Sequence, residues 1–106
     1  MWGLFLDDER YPSDKDPLKD WVIARTVNEA QDLIRDCGMP YRMSLDHDLG
    51  DGIPTGYDFI KWLVEQDMDD VIDIDVIIYF YVHSQNPVGA ENIRSYFNTY
   101  ISQKER

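Results

Sequence analysis

The sequence has a single cysteine, Cys37, in 106 residues. One cysteine cannot close an intrachain disulfide, so the fold must rest on its core, and a reducing, cytoplasmic setting fits. No apolar run approaches the ~20 residues of a membrane span. The amino terminus lacks the charged and apolar regions of a secretory signal. A cytoplasmic protein with no membrane contact is the expectation. Basic residues are also scarce: 10 Lys and Arg stand against 21 Asp and Glu, for a net charge of −11. That excludes a broad nucleic-acid-binding face, which needs many cations along the phosphates. It leaves room for a small phosphate site built from backbone N–H groups, a metal and one or two arginines. The same acidity would attract a basic protein partner. Repeats, low-complexity tracts and linkers are missing, so residues 1–106 read as one domain. Only two histidines occur, His47 and His83.

What the chain does have is a core. It is 43% hydrophobic and 13% aromatic, which supports one packed domain rather than long disorder. Apolar stretches at 3–6, 21–25, 42–45 and 75–82 read as strands. The last is the longest, β-branched and aromatic, and reads as a central buried strand. Thr26 and Glu29 have the spacing of a capping box. Ala30, Leu33, Ile34 and Cys37 follow at helical spacing, and Gly38 ends that helix. Thr55 caps the next helix, with Asp58 in its first turn and Phe59, Ile60, Leu63 and Val64 as its apolar stripe. Residues 67–73 read as an acidic connector. Asn86 and Pro87 start the last helix, with Ala90, Ile93, Phe97 and Ile101 inward, and residues 102–106 are expected to fray. Residues 8–19 hold Pro12 and Pro17 and read as a loop with room for one helical turn. Strands alternating with helices imply α/β class and a parallel sheet. By analogy with flavodoxin-like sheets, the expected architecture is a truncated sheet of four strands in the order 2-1-3-4, with helices on both faces.

In such a sheet, functional groups collect beyond the carboxyl ends of the strands. Four stretches have that form here. Asp7 and Asp8 end the first, and Arg25 ends the second. Asp46, His47 and Asp48 end the third, and His83 and Ser84 end the fourth. Asp7, Asp8 and Asp46 make a hard-oxygen set suited to Mg²⁺ or Mn²⁺. His47 and His83 are candidates for a general acid and base, with Asp48 beside them. They suit a transition metal less well, because the spacing matches no known zinc motif. Ser84, Asn86 and Gly89 lead into a helix start whose free N–H groups favour an anion, and Gly89 would let a ligand approach the backbone. Arg10 and Arg25 are the nearest cations for bidentate phosphate binding. Each residue also has a structural reading: a polar turn at Asp7-Asp8, ordinary capping by Asn86, surface ion pairing by Arg10.

These blocks resemble the receiver domain of response regulators. Asp7-Asp8 match its acidic metal pair, and Ser84 matches its Ser/Thr at the end of the fourth strand. Asp46 matches the phosphoacceptor by strand end, Asp48 by its distance to Gly56. No fifth strand bearing the receiver lysine follows the last helix, so phosphorelay signalling is not expected. A closer resemblance is to cyclic-phosphate processing receiver domains. It rests on Asp-Asp-x-Arg at 7–10, Leu-Asp-His-Asp-Leu-Gly at 45–50 and Val-His-Ser-x-Asn-Pro-Val-Gly at 82–89. The resemblance implies a role in processing cyclic phosphates, with a phosphate-containing small molecule or an RNA end as substrate. The leading expectation is a metal-assisted phosphoesterase, a hydrolase. The alternatives are a non-catalytic receiver-like binding module, or an acidic decoy that occupies a basic nucleic-acid-handling protein.

Overall fold

The computed structural model describes residues 1–13 and 20–104. Four short strands, β1 (Gly3–Leu6), β2 (Trp21–Ala24), β3 (Arg42–Leu45) and β4 (Tyr79–Val82), form one parallel sheet in the order 2-1-3-4. Three helices connect and follow them: α1 (Val27–Cys37), α2 (Gly56–Met68) and α3 (Pro87–Lys104). The fold is a truncated receiver-like, flavodoxin-like α/β sheet, as the alternation of elements implies. The expected helical turn in residues 14–19 and the fraying of 105–106 lie outside the described residues. Residues 102–104, also expected to fray, are helical.

Alternation along the strands sorts side chains to two faces. Leu4, Leu6, Ala24, Met43 and Leu45 point to one face and pack with Ala30 and Ile34 of α1, Phe59, Ile60 and Leu63 of α2, and Ile93 and Phe97 of α3. α2 touches both other helices, so all three described helices cover this one face. Helices on both faces were expected, and chirality explains the difference. The chain steps from β2 to β3 to β4 in one direction across the sheet, and right-handed crossovers taken in one direction land on one face. Only the step from β1 to β2 runs the other way, and its described residues hold no helix. The opposite face carries Phe5, Trp21, Arg42, Ser44, Tyr79 and Tyr81, linked by ring contacts between Phe5 and Trp21 and between Tyr79 and Tyr81, and by Arg42 stacked over Trp21.

Residues 75–82 are not the central buried strand expected. Ile74–Val76 is a single 3-10 turn capped by Asp73, whose side chain accepts from Asp75 N. Ile78 N then donates to Tyr41 O, and strand pairing begins only at Tyr79. β4 lies at the edge of the sheet, so Tyr79 and Tyr81 are exposed while Phe80 and Val82 pack inward. The aspartates at the start of the segment find a better local arrangement in a capped turn than in a strand. Three smaller expectations also change. Glu29 reaches back to Arg25 N rather than to the Thr26 cap, although Thr26 does accept from Glu29 N. Cys37 is exposed rather than part of the inner face of α1. Asp67 belongs to α2 and is buried, not part of a solvated connector. At Thr55 the capping box closes in full with Asp58.

Candidate functional site

The carboxyl ends of β1 and β3 are neighbours in the sheet, which brings Asp7 and Asp46 together. Asp7 N donates to Ala24 O, and Asp46 N to Leu6 O, so both residues extend the ladder by one rung. Asp7 is fully buried. Its Oδ1 accepts from the backbone N–H groups of Glu9 and Arg10, both at 2.9 Å. Its Oδ2 meets Arg10 Nε at 2.9 Å and His83 Nε2 at 2.9 Å. Burial pushes this carboxyl up, but the backbone donors, with His83 and Arg10, outweigh it and hold it below the ordinary carboxylate range. Asp46 Oδ1 accepts from His47 N at 2.8 Å, and Oδ2 pairs with Arg10 at 3.2 Å. One guanidinium thus bridges two buried carboxylates. Burial works against the charge on Arg10, yet Asp7 and Asp46 raise its pKa further.

His83 lies on the face away from the helices. Its ring stacks on Phe5 at 4.5 Å and 7°, and its Nδ1 is 2.7 Å from the buried Ser44 hydroxyl. Ser44, His83 and Asp7 therefore form a hydrogen-bonded chain across β3, β4 and β1. Ser44 lies before the strand end and is not among the site residues expected from the sequence. The available signal was a polar side chain alternating with Met43 and Leu45 inside an apolar strand. Ser44 leaves space above β3 for an imidazole.

His47 lies elsewhere. It falls on the helix side of the sheet by strand parity, beside α3. A Cβ on Gly89 would sit 2.5 Å from its ring, so the glycine there admits the imidazole rather than a ligand. His47 Nδ1 bonds Asp48 Oδ1 at 2.8 Å, and Asn86 donates to Asp48 Oδ2 at 3.3 Å. The His47 bond, opposed by burial and helped by Asn86, lowers the Asp48 pKa. The two histidines are on opposite sides of the sheet and do not flank a shared phosphate. Of the two acids that competed for the receiver position, Asp46 stands with Asp7, whereas Asp48 belongs to the His47 cluster.

The remaining expected residues divide between site and scaffold. Asn86 Oδ1 accepts from Gly89 N, and Ser84 Oγ from Asn86 N. The start of α3 is thus capped by its own chain, with Gly89 N not available to an anion. Arg25 donates to Asp7 O and Arg10 O and stacks over Tyr11, so it clamps the loop after β1 rather than reaching for phosphate. Asp8 is exposed and lines an open cleft of about 470 Å³ with Arg10, Asp46, Asp48, Ser84 and Asn86. Gly56 sets the floor of that loop. Its N–H donates to His47 O at 2.8 Å, and an added Cβ would fall 2.0 Å from Asp46 O.

Ligand atoms of Asp7, Asp46 and His83 lie within 4.8 Å of one another. Two carboxylates and one imidazole are donor types from which a divalent cation such as Mg²⁺ or Mn²⁺ can be held. Arg10 supplies positive charge at the same place. No described helix is long and apolar enough to cross a membrane. No curated protein and no solved structure matches the chain. A family model described as the cyclic-phosphate processing receiver domain matches residues 2–99. Motif blocks at the ends of β1, β3 and β4, a receiver-ordered sheet and a match over nearly the whole length agree: the chain belongs to the family of cyclic-phosphate processing receiver domains.

Proposed function

We propose that the protein is a metal-assisted phosphoesterase that opens a cyclic phosphate on a nucleotide or an RNA end. The observation that carries the reading is the Arg10 guanidinium held between Asp7 and Asp46 at the strand ends. Asp7, Asp46 and the flanking Asp8 would hold Mg²⁺ or Mn²⁺, which supplies charge neutralisation for phosphate oxygens. Arg10, displaced from the carboxylates, is then free to take phosphate oxygens as a planar fork. His83 has the place for proton transfer, with its ring oriented by Phe5 and Ser44. Asp48, Ser84 and Asn86 line the cleft, and His47 holds Asp48. The test is hydrolysis of a 2′,3′-cyclic nucleotide with Mg²⁺ or Mn²⁺ by parent, Asp46→Asn and His83→Asn proteins. General acid–base help is worth typically ~10²–10⁴ in rate, so His83→Asn should lose at least about tenfold. No turnover by the folded parent with either metal would overturn the enzyme reading.

A second reading has its own observation. Arg10 already pairs with both buried carboxylates, so a cation stands at the strand ends without a metal. In that case the protein binds phosphate ligands, or a basic partner drawn by its −11 charge, as a non-catalytic module. Phosphate binding without turnover, retained in His83→Asn, would select it.

A further inference from the structure

We infer that Tyr81 and Tyr79 form a stacking platform for the bases of the substrate, with the base nearest the phosphate on Tyr81. The inference rests on the phosphate-site reading above and names the part of the ligand that site does not touch. Tyr79 and Tyr81 alternate with inward Phe80 and Val82, so both stand on the sheet face away from the helices. They are 50% and 51% exposed. Their rings are parallel within 2°, with centroids 6.4 Å apart. Register sets Tyr81 opposite Ser44, and the Ser44 hydroxyl holds the His83 ring, which in turn meets Asp7. Tyr79, Tyr81, His83 and the Asp7 carboxylate therefore follow one another along a single face toward the phosphate site.

The spacing suits a nucleotide. Two strand residues advance about 6.6 Å, within the reach from a base to its own phosphate. Bases stack on aromatic side chains without regard to sequence, and each such contact is worth about tenfold or more in affinity. Charge limits the length of the ligand. A net charge of −11 repels a long polyanion, whereas one or two nucleotides bring few phosphates, and Arg10 meets the terminal one. The platform therefore takes the last one or two nucleotides of a chain and not an extended strand.

The test is calorimetric titration, with Mn²⁺ present, of three ligands: adenosine 2′,3′-cyclic phosphate, an adenine dinucleotide ending in a 2′,3′-cyclic phosphate, and inorganic phosphate. Tyr81→Ala should weaken the mononucleotide about tenfold or more, and Tyr81→Phe should restore it. Tyr79→Ala should leave the mononucleotide unchanged and weaken the dinucleotide. Inorganic phosphate should bind all variants alike. In the parent protein, the ring protons of Tyr81 should shift upfield on nucleotide addition, a readout that needs no variant to fold. Equal mononucleotide affinity in the parent and a folded Tyr81→Ala, with phosphate still bound, overturns the platform and leaves the phosphate site standing. A parent that binds neither nucleotide nor phosphate overturns the phosphate-site reading, and the platform with it.

Discussion

One small residue, Gly56, decides how closely the loop after β3 approaches α2. Gly56 lies so near Asp46 O that any side chain must displace one of the two backbones. We expect Gly56→Ala to cost about 1–3 kcal/mol, as overpacking does, and to weaken the proposed Mn²⁺ binding because Asp46 moves with its carbonyl. Urea denaturation and calorimetry would read the two effects, and unchanged values in both would show that the loop yields freely. Ser44 has a different task. Its hydroxyl is the partner of His83 Nδ1. Ser44→Ala removes that partner and should cost about 1–2 kcal/mol, as loss of one buried hydrogen bond does. Nitrogen-15 shifts of His83 should change with it, while those of His47, on the other side of the sheet, should not. Unchanged His83 shifts would mean that Phe5 and Asp7 alone set the ring.

Among the elements, α2 and α3 are tied at their carboxyl ends by a buried aspartate. Asp67 accepts from Ile74 N at 2.9 Å, Tyr100 Oη at 2.5 Å and Lys104 Nζ at 2.8 Å, and Lys104 also reaches Asp75 at 3.2 Å. Burial raises the Asp67 pKa, but Ile74 N–H, Lys104 and Tyr100 together lower it below the ordinary value. The bond to Asp67 pushes Tyr100 up to about 12 and Lys104 up to about 12. The signs give a plateau with two edges. Asp67 has a depressed folded pKa, so its contribution is present above ~4 and is lost as pH falls through the folded value. Tyr100 and Lys104 have raised folded values, so theirs is complete below ~10 and is lost as pH rises toward 12. Removing one partner of a buried charged cluster costs about 3–5 kcal/mol. Asp67→Ala should therefore lower stability by about that much at pH 7 and flatten both edges of a Tm–pH curve. A variant curve parallel to the parent's would place the pH dependence elsewhere.

For the whole molecule, the excess of acid is the dominant long-range force. A net charge of −11 on one small domain repels itself, and salt screens that repulsion. The compact state should gain from added NaCl, with a Tm rise of about 4 °C or more, which corresponds to ~1 kcal/mol. A falling Tm in a calorimetric salt series would show that the Arg10 and Lys104 ion pairs outweigh the general repulsion. The same charge bears on the proposed recognition, because an anionic ligand would have to be met locally, by Arg10, against an unfavourable field.

Local chemistry determined much of this protein by itself. The strands at Gly3–Leu6 and Arg42–Leu45, the Thr55–Asp58 capping box, the Gly38 stop and the Asn86-Pro87 helix start all follow from residues within a few positions of one another. The strand order and the acids at the strand ends were legible for the same reason, since alternation of elements and handedness leave few arrangements. Pairings across the sheet were not legible. Whether His47 and His83 share a pocket depends on parity at two strand ends and on which face receives the helices. Tertiary structure sends His83 over Ser44 to Phe5 and Asp7, and sends His47 to Gly89 on α3. It likewise shortened the 75–82 strand, because an edge position offers one pairing partner where a central one offers two. It turned Arg25 and Gly89 from ligand contacts into scaffold, because backbone carbonyls and an imidazole took their places first. Residue types at strand ends are a local property of the chain, but which of them meet is decided by packing between elements far apart in sequence.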